Sequence, residues 1–377
     1  MNSQRLVGRF PAGRRSARRR NVETSPRHHR LRHAHALFKI ARGPGFSSIP
    51  SEVEESLIFL LVNEITQAFV LGAGLGTRLR PLTDELPKPL IPIFQKPLIT
   101  FALDHLIGTG VNKFVINTHR LPESFRNFFP DNEYAGHSVM LAHEPELLET
   151  GGGMKNVEAF IENRPFIAYS GDILSDVDLE PLIENHFRAQ NHVTLGLRRN
   201  TGLGAGVVMR DNRIVAILKE SNPDENFDYA NVSVWNPEIF QKLPPRQKVS
   251  FIPILTKWIA EGGKIGGILL DDGQWFNIGS RKEYLEVHRV IATEHWHPRY
   301  VKTVGWPDPI HPSAFVDPSA ELRGCSVVGE HCRVGAKAIL EDTILWPGAQ
   351  IASQSQLQGC IVRSQKKASG IHRNIDI

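Results

Sequence analysis

Residues 71–93 read LGAGLGTRLRPLTDELPKPLIPI. Gly72, Gly74 and Gly76 make a loop whose backbone N–H groups a ligand can approach closely, because glycine carries no Cβ. Arg78, Arg80 and Lys88 follow, cations of the kind that neutralise phosphate oxygens. Three kinds of phosphate loop compete for this stretch. A dinucleotide loop needs G-x-G-x-x-G, but Thr77 stands in the third glycine's place and no acidic residue follows on the next strand. A P-loop needs Gly-Lys-Ser/Thr, which is absent. The third kind is a glycine-rich loop after a first strand, with Arg78 and Lys88 neutralising triphosphate and pyrophosphate charge.

The elements that must hold this loop alternate along the chain. Ala68–Leu71 reads as a buried strand, Leu98–Ile107 as a helix and Phe114–Ile116 as the next strand. Val139–Ala142, Phe166–Tyr169 and Val193–Leu197 read as further strands, and Leu179–Gln190, Phe251–Gly262 and Arg281–Trp296 as helices. Alternation on this scale predicts an α/β fold around a largely parallel sheet. The proline-broken stretch HPRYVKTVGWPDP marks a boundary.

Past that boundary the period becomes six. Ile310, Val316, Leu322, Val328, Val334, Leu340, Trp346 and Ala352 recur at that interval. A six-residue aliphatic period predicts a β-helix in which each repeat is one face of a coil. Such repeats resemble the left-handed β-helix of hexapeptide-repeat proteins, which serves packing or association of copies. The expected divisions are a basic segment at 1–63, an α/β domain at 64–296, a linker at 297–309, repeats at 310–365 and a tail at 366–377.

Composition narrows the partners. The chain is 41% hydrophobic and 22% charged, as in ordinary globular proteins. Its net charge of +4 hides an asymmetry: residues 1–50 hold twelve basic residues against one acidic, and the remainder 32 against 39. An acidic body argues against nucleic acid as a partner. The arginine-rich segment has no apolar face, which predicts disorder; its composition also resembles a transit peptide. No apolar run approaches the roughly 20 residues of a membrane span. Cys325, Cys332 and Cys360 form no CxxC pair, so neither a zinc site nor a disulfide framework is expected, in keeping with a cytoplasmic location.

The stretch 71–93, with QKPLI after it, resembles the signature of the sugar-1-phosphate nucleotidyltransferases, the pyrophosphorylases that make nucleotide sugars. LLETGGG at 147–153 resembles their second glycine-rich loop, and YSGDIL at 169–174 the strand end carrying a metal-binding aspartate. The bacterial branch with N-acetylmuramate-1-phosphate uridylyltransferase, and the neighbouring mannose- and heptose-1-phosphate guanylyltransferases, are the most similar groups. The resemblance implies a Rossmann-like mixed, mostly parallel sheet followed by a short left-handed β-helix. It implies an NTP and a sugar 1-phosphate as partners and Mg²⁺ as cofactor. Leu71, Gly72, Ala73, Gly74, Gly76 and Thr77 would cradle the nucleotide, and Gly151 and Gly152 would let backbone meet the base or sugar. Arg78 would hold the β- and γ-phosphates, and Lys88 the α-phosphate or the incoming phosphate. Asp172 would bind Mg²⁺, a hard cation that takes carboxylate and phosphate oxygens together. Two bland alternatives stand beside these roles: Arg80 as a structural ion-pair partner, and Asp172 as a cap on the segment after it.

Two departures from the family pattern bear on activity. Asn277, in QWFNIGS, stands where the family has its second metal-binding aspartate, which removes one negative charge from the site. Lys219 keeps the spacing of a sugar-phosphate lysine but has other neighbours, and Asn231 replaces a glycine near the sugar. These substitutions leave open a non-catalytic, nucleotide-sugar-binding regulatory homologue. An acyltransferase tail is a further alternative, with only His311 and His331 as bases between 310 and 363.

Overall fold

The computed structural model describes residues 63–199, 206–218 and 226–377. The basic segment 1–62 and Lys219 lie outside the described residues. Residues 64–296 hold fourteen described strands. They are β1 (Gln67–Leu71), β2 (Pro92–Ile93), β3 (Lys96–Pro97), β4 (Lys113–Thr118), β5 (Glu133–Tyr134), β6 (His137–His143) and β7 (Phe166–Ser170). Next come β8 (Ile173–Ser175), β9 (Val193–Arg199), β10 (Val207–Arg210), β11 (Arg213–Ile217), β12 (Phe227–Trp235), β13 (Ile265–Leu269) and β14 (Trp275–Asn277). The described helices are α1 (Leu82–Glu85), α2 (Ile99–Gly108), α3 (Pro122–Phe128), α4 (Glu149–Asn156), α5 (Glu180–Arg188), α6 (Ile239–Lys242), α7 (Phe251–Ala260) and α8 (Arg281–Thr293).

One ten-stranded sheet organises them, in the order β10-β11-β13-β9-β12-β7-β1-β4-β6-β5. Strands β7, β1, β4 and β6 are mutually parallel, as are β9 and β13, while β12 runs antiparallel between the two groups. The sheet is therefore mixed and mostly parallel. Alternation along β1 fills both faces: Ala68 and Val70 join α2 and α5 in one core, and Phe69 joins α4 and α7 in the other. Helix α2 faces its core with Ile99, Ala102, Leu103 and Leu106, the i, i+3, i+4, i+7 stripe of an amphipathic helix. Burial of Ile99, Leu103 and Leu106 contributes about 2 kcal/mol each.

The C-terminal strands form three parallel ladders. Phe315–Val316, Arg333–Val334, Gln350–Ile351 and Lys367–Ala368 make one face, and Glu321–Arg323, Ile339–Glu341, Gln356–Gln358 and Ile371–Arg373 the second. Val327–Val328, Ile344–Leu345 and Ile361–Val362 make the third. This is the arrangement of a three-faced β-helix, consistent with the left-handed kind. Strand pairing continues through Lys367–Ala368 and Ile371–Arg373, inside the stretch set apart above as a tail.

The six-residue period slips between Leu340 and Leu345, and again between Leu357 and Val362. Val316 pairs with Val334 and Leu322 with Leu340, eighteen residues on, but Val328 pairs with Leu345 and Val334 with Ile351, seventeen on. Leu345 and Ile351 thus take the inward positions expected for Trp346 and Ala352. Ala352 is exposed. Trp346 is buried elsewhere, where its indole N–H donates to the Tyr284 hydroxyl at 3.0 Å.

The third face docks the β-helix on the α/β domain. Val328, Leu345 and Val362 point into the coil, while Val327, Ile344 and Ile361 point out into a core shared with Phe94, Ile278, Tyr284 and Trp306. Strands buried on both sides carry consecutive apolar residues, which is why these three read VV, IL and IV. Arg281 completes the junction, with Nε 2.7 Å from Asp376 Oδ1 and Nη2 2.5 Å from the Gly359 carbonyl. Among the described residues no helix is long and apolar enough to cross a membrane, and the three cysteines are free and buried.

Candidate active site

The site lies where β1, β4 and β7 end at their C-terminal edges, the position at which open α/β sheets bind ligands. Leu71 closes β1, and the chain leaves the sheet through Gly72–Gly76. The N–H groups of Gly72 and Ala73 donate to Asn117 Oδ1 at 2.8 and 3.3 Å, which pins the start of the loop to the end of β4. Close approach requires glycine at 72, since a Cβ there would stand 2.7 Å from the Asn117 carbonyl oxygen. The far end is held by Thr83, whose hydroxyl donates to the Gly76 carbonyl at 2.8 Å. Between these anchors Gly74 and Leu75 are exposed, and nothing lies within 4 Å of where a Gly74 Cβ would be. The loop is fixed at both ends and open in the middle.

The three cations separate by role. Arg80 pairs with Asp84 at 3.4 Å, and Asp84 also pairs with Arg120 at 2.8 Å, so Arg80 belongs to a surface ion-pair group. Arg78 is exposed and makes no ion pair or hydrogen bond among the described residues; its guanidinium lies over Gly279. Lys88 sits in a single 3-10 turn, Lys88–Leu90, between Pro87 and Pro89. Its Nζ lies 2.6 Å from Asp172 Oδ2, with the lysine side chain 13% and the aspartate 29% exposed.

Asp172 follows Ser170 and Gly171 at the end of β7, and the Ser170 hydroxyl donates to Asp172 Oδ1 at 2.8 Å. Strand β14 pairs antiparallel with β8, setting Asn277 opposite Ile173, and the Ile278 N–H donates to the Asp172 carbonyl at 3.2 Å. The two residues singled out as metal ligands are therefore neighbours across one short ladder. They offer a carboxylate and an amide oxygen, a hard-oxygen set that suits Mg²⁺, which takes one or two protein oxygens and completes its shell with substrate phosphate and water. Among the described residues no cluster of three His, Cys, Asp or Glu competes for a metal. Asp271 pairs with Arg199, and Asp272 accepts from the Asp178 N–H.

Gly151 and Gly152 are packed against another part of the chain. They lie in the first turn of α4, are buried, and donate their N–H groups to the Val249 carbonyl at 2.8 and 2.9 Å. The close approach they permit is to the 247–250 segment of the chain itself. Asn231 has φ +60, at a register shift between β12 and β9. Asn is among the non-glycine side chains that best tolerate this left-handed backbone. The neighbouring Ala230 carbonyl accepts from the Trp275 indole N–H at 2.9 Å, which ties the bulge to the strand carrying Asn277.

Asn117, Glu144, Ser170 and Gly279 were not singled out by sequence. Asn117 lies next to the last residue of β4, directly across from Leu71, and a polar residue near the end of an apolar strand next to a glycine loop was the signal available. Glu144 is fully buried, and that burial holds its carboxyl above the ordinary carboxylate range.

The family model described as Nucleotidyl transferase matches residues 67–294. The chain belongs to that family. It is 28% identical over 305 residues to the mannose-1-phosphate guanylyltransferase of Mycobacterium tuberculosis, covering 78% of this chain and 82% of the relative. To the N-acetylmuramate alpha-1-phosphate uridylyltransferase of Neisseria meningitidis serogroup B it is 29% identical over 217 residues, covering 55% and 93%. The solved UDP-glucose pyrophosphorylase from Acinetobacter baumanii matches with a TM-score of 0.55 at 18% identity, covering 62% of this chain and 95% of that one. This last likeness concerns the fold.

Proposed function

We propose that this protein is a sugar-1-phosphate nucleotidyltransferase that joins the nucleoside monophosphate of an NTP to a sugar 1-phosphate, releasing pyrophosphate. The observation that carries the reading is the corner where Lys88 and Asp172 meet at 2.6 Å beside an anchored glycine loop. GTP with mannose 1-phosphate is the first pair to test, because the guanylyltransferase relative aligns over 305 residues and 82% of its own length. UTP with N-acetylmuramate 1-phosphate is the second.

In the reaction a sugar-phosphate oxygen forms a bond to the α-phosphorus as the α–β bridging bond breaks. Such transfers depend on positioning and charge neutralisation rather than on a protein nucleophile. Gly72–Thr77 hold the triphosphate, Arg78 neutralises the departing pyrophosphate, and Lys88 holds the α-phosphate against the incoming oxygen. Asp172 and Asn277 would hold Mg²⁺, which supplies positive charge to the phosphate oxygens. Lys219 and Asn231 are assigned to the sugar-phosphate side.

A cytoplasmic location fits this reaction, with NTP and sugar 1-phosphate as its partners. Association of copies through the β-helix is checked by light scattering. The test of function is product identification by mass spectrometry after incubating the full chain with Mg²⁺ and each NTP against each sugar 1-phosphate. One nucleotide-sugar product establishes the activity and names both substrates. A neutral donor at 277 favours one second reading, a regulatory homologue. It is supported if nucleotide sugar binds while every pair stays silent.

A further inference from the structure

We propose that the buried pair Asn117–Glu144 is a positioning device that sets the first glycine-rich loop and the 147–153 segment in one fixed relation, and so tunes NTP binding. Asn117 Oδ1 accepts the N–H groups of Gly72 and Ala73, and its Nδ2 donates to Glu144 Oε1 at 2.7 Å. Glu144 Oε2 accepts the Leu148 N–H at 3.0 Å. One continuous chain of hydrogen bonds thus runs from residue 72 to residue 148. Both side chains are closed to solvent, at 2% and 0% exposure, so neither water nor a surface rotamer can take over either bond. Gly153 explains why the motif needs a third glycine, since a Cβ there would stand 2.7 Å from both Asn117 Nδ2 and Glu144 Oε1. The inference rests on the nucleotidyltransferase reading for what the loops bind, but not for how they are joined.

The donor and acceptor pattern supplies its own test. In Glu144→Gln, one carbonyl oxygen cannot accept from both Asn117 and Leu148, and the new amide N–H₂ faces one of those donors. In Asn117→Asp, two carboxylates meet where a donor met an acceptor. The double variant restores every bond. The amide introduced at position 144 donates to the carboxylate introduced at position 117 and accepts from the Leu148 N–H, while that carboxylate accepts from Gly72 and Ala73. One negative charge is kept, moved from 144 to 117.

The experiment measures hydrogen–deuterium exchange of peptides covering 72–77 and 147–153, GTP affinity by calorimetry, KM and kcat, and melting temperature for the full chain and all three variants. Each single variant is expected to speed exchange in both segments together and to weaken GTP binding about tenfold or more, mostly in KM. The double variant is expected to return within about threefold of the parent. A double variant no better than the worse of the two singles, or singles that loosen only their own segment, would overturn the device. Parent protein that neither binds GTP nor releases pyrophosphate overturns the functional reading instead; the exchange data still decide whether the segments are coupled.

Discussion

The ammonium of Lys88 and the carboxylate of Asp172 meet at 2.6 Å although 84 residues separate them in sequence. Pro87 and Pro89 fix the turn that carries the lysine, and Ser170 fixes the other carboxylate oxygen. A cation suited to phosphate is thus parked on a proposed metal ligand.

Arg78 depends on a residue two hundred positions away. A Cβ at Gly279 would stand 2.7 Å from Arg78 Nη2. Gly279→Ala is expected to displace the guanidinium and lower kcat ten- to a hundredfold, because small misplacements of a charge are costly in phosphoryl transfer. The melting temperature should hold within a few degrees. Unchanged kcat would mean that Arg78 does not act from this seat.

Arg80 is the contrasting case. Its pair with Asp84 is half-exposed on both sides, at 52% and 46%. Arg80→Ala is expected to cost less than about 1 kcal/mol in denaturant unfolding and to leave turnover intact. Arg78→Ala is expected to lose about a hundredfold in turnover. Equal losses would break the distinction drawn between the two arginines.

Asn277→Asp adds a negative charge beside Asp172. The expected outcome is a lower Mg²⁺ concentration for half-maximal activity, read from a titration at saturating substrates. No change in that concentration would place the Asn277 side chain away from the metal.

Stability should fall with acid for a defined reason. Burial pushes His105, His186 and His288 down to about 4. His288 shows why: its Nδ1–H donates to the Tyr284 carbonyl and its Nε2 accepts the Phe94 N–H, leaving no place for a second proton. The unfolded chain takes up protons near pH 6.5 and the folded chain does not, so stability is full above pH 6.5 and declines from there toward pH 4. Each histidine contributes a loss of about 2 kcal/mol between pH 7 and pH 5. Thermal melts across that range check the slope; a flat profile would mean these rings are protonated in the fold.

Local patterns carried most of the fold. The apolar runs of β1, β4 and β7 and the 3.6-residue stripe of α2 are visible along the chain, and the glycine–arginine–lysine stretch led directly to the site. Strand β12 was not read because its Asn231 bulge and polar residues break alternation. Strand β13, with Gly266 and Gly267, carries little β signal of its own. Trp346 fell on the six-residue period by coincidence, since one missing residue between Leu340 and Leu345 shifts the inward position. Glu144 was invisible for another reason: its importance comes from a contact with Asn117 across 27 residues, and no spacing along the chain encodes it.

The most direct measurement is the initial rate of pyrophosphate release by the full chain and by Lys88→Ala, with Mg²⁺, GTP and mannose 1-phosphate, then UTP and N-acetylmuramate 1-phosphate. The expected result is turnover by the parent with one pair and a loss of about 100- to 1000-fold in the variant, with both proteins folded. Near-normal release by Lys88→Ala would contradict the assignment of the Lys88–Asp172 corner as the place where the phosphates react.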